Sequence, residues 1–254
     1  MKRYQVYCFD LDGTVYHGTE RVPEAVSLIG KLQENGIEPY YVTNNSSATP
    51  EQVREKLASF GISAKAEHIM TSAVATAKYC KENYAGATVQ MIGEAGLKEA
   101  IQAEGIKIVD ENADVVVMGI DREINYEKLA RVSLAIRAGA KFIATNGDKA
   151  IPTERGLLPG SGSFVKLVEY TTGIKPTFIG KPEPYLFSYI QEHSGCGKAE
   201  MVMIGDNYDT DILGGIRYGI DTIHIDGGVT SREAIREKEE LPTYFLKTFA
   251  DWKI

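Results

Sequence analysis

The stretch "YCFDLDGTVYHG", residues 7–18, decides how the chain is read. An apolar, β-prone run ends on Asp10, and Asp12, Gly13 and Thr14 follow within four residues. Two carboxylates held about 4 Å apart repel by about 4 kcal/mol at a moderate effective dielectric. A strand that ends on such a pair therefore calls for a cation. Working outward, "YQVYCF" (4–9) is a strand and "VPEAVSLIGKLQENG" (22–36) a helix, started by Pro23 and stopped by Gly36. The strand "IEPYYVT" (37–43) and the helix "TPEQVREKLASFG" (49–61) repeat the unit.

The alternation continues along the chain. Strands are expected at 88–92, 114–119, 141–145, 177–180, 200–205 and 221–225. Helices are expected at 71–84, 94–105, 125–139, 161–173, 183–195, 209–218 and 230–240. Thr230 and Glu233 have the spacing of a capping box. Near-continuous apolar strands alternating with helices predict parallel sheets covered on both faces. They are too many for one compact open sheet. The sequence therefore predicts an α/β protein of two lobes: a Rossmann-like core from 1–80 and 178–254, and an inserted α/β lobe from 81–177.

Composition narrows the partners. The chain has 254 residues, 43% hydrophobic and 25% charged, with a net charge of −7. That balance disfavours bulk nucleic-acid or anionic-membrane binding and asks any anionic substrate to be drawn in by local positive groups. Cys8, Cys80 and Cys196 are odd in number and form no CxxC pair, so they read as buried, reduced thiols. The apolar stretch of the N-terminus meets Asp10 too early for a signal peptide, and no run suits a membrane helix. A cytoplasmic, soluble protein is expected; its oligomeric state is open.

Ligands of parallel α/β sheets bind beyond the carboxyl ends of the strands. Four polar clusters share that address: Asp10 to Thr14; Thr43, Asn44, Asn45 and Ser46; Lys181 with Pro182; and Asp206 with Asn207, Asp209 and Asp211. Carboxylate oxygens without His or Cys beside them favour Mg²⁺ over zinc. Thr43 and Asn44 offer hydroxyl, amide and backbone donors ahead of a helix, suited to an anion. Asp209 reads as the cap of the helix that follows it. None of the four histidines has ligand spacing, and His17 alone follows the first cluster closely. "ATNGD" (144–148) echoes "VTNNS" (42–46) but has no DxD with it, which makes it a strand-to-loop turn rather than a second centre. Asn146, Asp148 and Arg155 are nonetheless candidates to face a substrate.

Taken in order, "DLDGT", "VTNN", "GKP" and "GDNYDTDI" resemble the four motifs of the haloacid dehalogenase superfamily of phosphatases. The insertion between the second and third resembles the cap of its NagD-like branch, subfamily IIA. The resemblance implies a Mg²⁺-dependent phosphatase for small phosphorylated metabolites such as sugar or acid-sugar phosphates. It implies Asp10 as nucleophile and metal ligand, and Asp12 as acid/base that meets the metal through its backbone carbonyl. It further implies Thr43, Asn44 and Lys181 on the phosphoryl group, Asp206 as a metal ligand, and Asn45, Asn207 and Asp211 behind them. A phosphomutase using the same aspartyl-phosphate, and a non-enzymatic phospho-acceptor module, are the alternatives.

Overall fold

The structure, a computed structural model, describes residues 2–153 and 155–252. Strand β1 (Val6–Phe9) leads to a short antiparallel ladder, β2 (Tyr16–His17) with β3 (Glu20–Arg21). Helix α1 (Pro23–Glu34), β4 (Tyr40–Thr43), α2 (Pro50–Ser59), β5 (Ile69–Thr71) and α3 (Ser72–Asn83) follow. Next come β6 (Val89–Ile92), α4 (Ala95–Ala103), β7 (Val115–Met118), α5 (Tyr126–Arg137) and β8 (Lys141–Ala144). A hairpin of β9 (Ala150–Thr153) and β10 (Gly156–Pro159) precedes α6 (Ser161–Thr172) and β11 (Thr177–Phe178). The chain closes with α7 (Tyr185–Ser194), β12 (Met201–Gly205), α8 (Leu213–Tyr218), β13 (Asp221–Ile225), α9 (Arg232–Ile235) and β14 (Tyr244–Leu246).

The chain divides into two compact units. The first comprises residues 1–43, 50–70 and 181–254; the second comprises 44–49 and 71–180. In the first, six strands lie in the order β14-β13-β12-β1-β4-β5. The pairs from β14 through β4 are parallel. Every residue of β1, β4 and β12 is buried, as an apolar run covered on both faces requires. Helix α1 contributes Ala25, Leu28, Ile29 and Leu32, the i, i+3, i+4, i+7 stripe of an amphipathic helix. Burying each large apolar side chain of that stripe contributes about 1.5–3 kcal/mol.

The second unit has its own parallel sheet, β11-β8-β7-β6. A core of Ile92, Val116, Met118, Ile136, Phe142 and Val165 lies between that sheet and helices α5 and α6. The first unit breaks off after residue 70 and resumes at 181, whereas the sequence predicts these joints after 80 and at 178. Residues 71–80 group with the second unit because α3 packs along α4. Segment 44–49 does so because Gly96 donates its N–H to the Ser47 carbonyl at 2.8 Å, with no room there for a side chain. Among the described residues no helix is long and apolar enough to cross a membrane.

Two local expectations are corrected. The predicted helix at 230–240 is α9 alone, capped by Ser231, whose hydroxyl accepts from Ala234 N–H. Thr230 is engaged elsewhere: its hydroxyl accepts from Tyr208 N–H and its own N–H donates to the Asp206 carbonyl. Asp209 caps nothing. Asn207 Oδ1 accepts from Asp209 N–H at 3.1 Å, and the Asp209 carboxylate pairs with Lys238 instead. Cys8 and Cys80 are buried, and burial pushes both thiols up to about 12; Cys196 is only half-buried.

Candidate active site

Three neighbouring strands, β12, β1 and β4, end at one edge of the first sheet. Their last residues are Gly205, Phe9 and Thr43, so Asp206 and Asp10 leave adjacent strands side by side. Asp10 continues the ladder by one bond, donating its N–H to the Ile204 carbonyl at 2.8 Å. Carboxylate oxygens of Asp10, Asp206 and Asp211 all lie within 4.8 Å of one another, and all three residues are buried.

Lys181 enters this cluster almost completely buried. Its ammonium donates to Asp10 Oδ1 and Asp211 Oδ1, both at 2.7 Å, and to the Val42 carbonyl at 2.9 Å. One cation therefore ties the ends of β1 and β4 to the segment after β12. Burial by itself would lower the Lys181 pKa, but the two carboxylates outweigh it and hold the ammonium charged. Burial pushes Asp10 well above the usual carboxylate range; Asp211 and Asp206 push the same way while Lys181 opposes them. Asp206 is raised by burial and by Asp211, against the pull of Val229 N–H and the Thr14 hydroxyl. Three acids thus face one lysine in a buried space, and the excess negative charge fits a divalent cation. The donor set, carboxylate oxygens alone, suits a hard ion.

Each member is fixed by neighbours. Thr14 Oγ1 donates to Asp206 Oδ1 at 2.9 Å, and Val229 N–H donates to Asp206 Oδ2 at 2.7 Å. Gly13 turns the chain with φ +97°, and a Cβ there would meet Asp206 Oδ2 at 2.5 Å. Gly228 likewise leaves no room for a side chain beside Asp206. Asp211 lends Oδ1 to Lys181 and Oδ2 to Asn207 N–H at 3.2 Å, so both of its oxygens are engaged. Asp12 differs from all of these. It is exposed, and its Oδ1 accepts from Gly18 N–H at 3.2 Å. Thr43 is buried at the end of β4.

Asn44 and Asn45 belong to the second unit. Asn45 Oδ1 accepts from the N–H groups of Ser47 and Ala48, the turn expected of Asn before a helix. Asn44 donates Nδ2–H to Asp148 Oδ1 at 3.2 Å. Arg155 N–H donates to Thr153 Oγ1 at the tip of the β9–β10 hairpin. His17 is exposed on the β2–β3 ladder.

Of the charged residues that the sequence sets at one sheet edge, Asp10, Lys181, Asp206 and Asp211 lie together, whereas Asp12 is exposed and outside that cluster. The sequence gives Thr14 no role of its own and does not announce the Val42 carbonyl or the Val229 N–H. Thr14 stood inside the first motif and was legible there. The other two are backbone groups, which no residue type announces.

Comparison with known proteins agrees with this geometry. The model for haloacid dehalogenase-like hydrolases matches residues 7–107, and a HAD-hydrolase-like model matches 178–252. The chain is 48% identical over 252 residues to the 5'-nucleotidase YutF of Bacillus subtilis, covering 99% of this chain and 98% of that protein. It is 51% identical over 248 residues to an acid sugar phosphatase of Staphylococcus epidermidis, covering 97% and 96%. Among solved structures, a double mutant of the thermostable NPPase of Geobacillus stearothermophilus superposes with a TM-score of 0.94 at 48% identity, over 100% and 99% of the two chains. A 4-nitrophenylphosphatase of Thermotoga maritima does so with a TM-score of 0.92 at 30% identity, over 98% and 95%. Near-complete likeness at this identity, together with the acid-and-lysine cluster at the sheet edge, places the chain among the haloacid dehalogenase-like hydrolases of the NagD-like type, as a phosphoric monoester hydrolase.

Proposed function

We propose that this phosphatase hydrolyses small phosphorylated metabolites, sugar or acid-sugar phosphates first among them, through an aspartyl-phosphate on Asp10. One observation carries the reading: a buried Asp10 held by Lys181 stands two residues from an exposed Asp12. Lys181 opposes the burial that disfavours the charged Asp10 carboxylate, which the attack requires, and the exposed Asp12 side chain can exchange a proton with water. A carboxylate oxygen of Asp10 attacks phosphorus, and the phosphorus–oxygen bond to the leaving group breaks. Asp12 hands its proton to the departing alkoxide. Water then attacks the phosphoryl group, Asp12 takes the proton back, and phosphate leaves with the Asp10 carboxylate restored. Thr43, Asn44 and Lys181 hold the phosphoryl oxygens.

Asp10, Asp206 and the backbone carbonyl of Asp12 would hold Mg²⁺, with Asn45, Asn207 and Asp211 around them; when bound, the ion neutralises charge on the transferring group. The acid sugar phosphatase and the 5'-nucleotidase among the relatives support a monoester substrate with a polar body. Residues 81–177, the inserted lobe, are assigned to substrate selection. The test is steady release of inorganic phosphate from a panel of sugar phosphates, phosphorylated sugar acids, nucleotides and nitrophenyl phosphate, in Mg²⁺ and then in EDTA. Release that continues unchanged in EDTA removes the metal from the scheme. Transfer to a second substrate hydroxyl without phosphate release makes the protein a mutase.

The raised carboxylates set a pH signature for metal binding. Asp10 and Asp206 hold protons in the folded chain that the unfolded chain has released, at every pH between about 3.9 and their raised values. Without metal, stability therefore falls as pH rises through that window. A divalent cation competes with those protons, so its stabilising effect grows with pH. Saturating Mg²⁺ is expected to raise the melting temperature by roughly 5–10 °C at pH 7.5 and by clearly less at pH 5. Melting curves with Mg²⁺ or EDTA at both pH values decide it; equal shifts at the two pH values would refute it.

A further inference from the structure

We propose that Asn146, Asp148 and Ser72 are positioning residues for Asn44, so that the phosphate-holding asparagine is aimed by residues of the second unit rather than by the strand that precedes it. The inference rests on the reading that Asn44 helps to hold the phosphoryl group. Thr43 is the last residue of its segment in the first unit, and Asn44 opens the second. The sequence motif is therefore shared between two units at a single peptide bond.

Within the second unit Asn44 is gripped at both ends. Its carbonyl accepts Ser72 Oγ–H at 2.7 Å and Asn146 Nδ2–H at 2.8 Å. Its side-chain amide donates to Asp148 Oδ1 at 3.2 Å. Asp148 N–H in turn donates to Asn146 Oδ1 at 3.1 Å, which closes a ring through Asn44, Asn146 and Asp148. Ser72 and Asn146 are buried, so their bonds compete with little water. The amide oxygen lies close to Gly180. A Cβ on Gly180 would come within 2.7 Å of Asn44 Oδ1 and 2.6 Å of the Thr145 carbonyl. Gly180 itself is pinned, donating its N–H to that same Thr145 carbonyl at 2.7 Å.

Gly180 precedes Lys181, the residue at which the chain returns to the first unit. Asn44 and Gly180, both in the second unit, thus each bond to the "ATNGD" loop. The echo between "VTNNS" and "ATNGD" acquires a physical meaning here: one loop holds the other. A carboxylate close to a phosphate-holding residue would repel a dianion if left bare. Tied to the Asn44 amide, Asp148 acts as an acceptor that fixes geometry.

The experiment measures KM for nitrophenyl phosphate, kcat, and competitive inhibition by inorganic phosphate. It uses the full chain with Asn44→Ala, Asp148→Ala, Asp148→Asn and the double variant Asn44→Ala/Asp148→Ala. Asp148→Ala and Asn44→Ala are each expected to weaken phosphate inhibition and raise KM about tenfold, the loss of one hydrogen bond. Asp148→Asn keeps an acceptor oxygen and is expected to restore most of the affinity. The double variant is expected to match the single ones, because Asp148 acts through Asn44. Additive losses, or normal phosphate inhibition in Asp148→Ala beside weakened inhibition in Asn44→Ala, overturn the positioning role. Normal inhibition in Asn44→Ala overturns the assignment of Asn44 to phosphate, and the positioning role with it. Melting temperatures identify a variant that has merely lost its fold, and Asn146→Ala, expected to weaken phosphate inhibition likewise, then repeats the test from the other bond.

Discussion

Asp10→Asn is expected to give a folded protein whose kcat falls by about 10⁴-fold or more. The amide has the shape of the carboxylate and keeps an oxygen for the Lys181 ammonium, which now sits 2.7 Å from Asp10 Oδ1. What it loses is the charge that attacks phosphorus. Fold and function should separate here, because the charge that serves catalysis strains the metal-free protein. Asp10 is buried beside Asp206 and Asp211, and its carboxyl is raised well above the ordinary range by that environment. Neutralising it relieves repulsion while Lys181 keeps Asp211 and the Val42 carbonyl. In EDTA the variant is therefore expected to melt at the same temperature as the parent or higher. Phosphate release and melting curves on one preparation test both halves. Turnover within tenfold of the parent would exclude Asp10 as the nucleophile.

Lys181→Met carries the second large effect, with the opposite stability sign. Methionine fills a similar volume but leaves Asp10 and Asp211 without the cation that joins them. Removing one partner of a buried charge group costs about 3–5 kcal/mol, because the remaining charges stay buried without compensation. The Asp10 carboxyl, already raised by burial, loses the charge that opposes the shift and holds its proton to still higher pH. Folded protein then binds more protons than unfolded protein above about pH 3.9, so the loss of stability deepens as pH rises. The destabilisation is expected to be largest near pH 8 and smallest near pH 4.5, as read by urea unfolding in EDTA. Activity is expected to fall about 10²–10³-fold, the scale of one well-placed donor at a charged transition state. A Lys181→Met protein as stable as the parent at pH 8 would contradict the assignment of this lysine as the keystone of the acid cluster.

The residues behind these two predictions differ in how far the sequence announces them. Strand ends are legible because apolar runs stop abruptly, and in a parallel sheet the residue after the stop lies at the ligand-binding edge. Asp10 and Asp206 were placed by that rule alone, on strands that prove to be neighbours. Lys181 was harder, since nothing in "GKP" says that a lysine is buried. Its position follows from the carboxylates that surround it. Asp209 and Thr230 depart from their expected capping roles for a related reason. Both have the residue type of a helix cap, but the bond each makes is set by a partner far along the chain, Lys238 for one and Tyr208 for the other. Helix α9 ended early, its predicted cap spent on the loop beside Asp206.

The amino-acid sequence by itself determined the α/β alternation, the two lobes and the identity of the acids, because periodicity and strand termination are local properties of the chain. Only the tertiary structure decided which carboxylates share one lysine, which backbone groups seat Asp206, and that Asn44 is held by Ser72, Asn146 and Asp148. Those are matters of distance between residues remote in sequence. Electrostatic and hydrogen-bond energies depend on that distance and on burial, neither of which a residue type encodes.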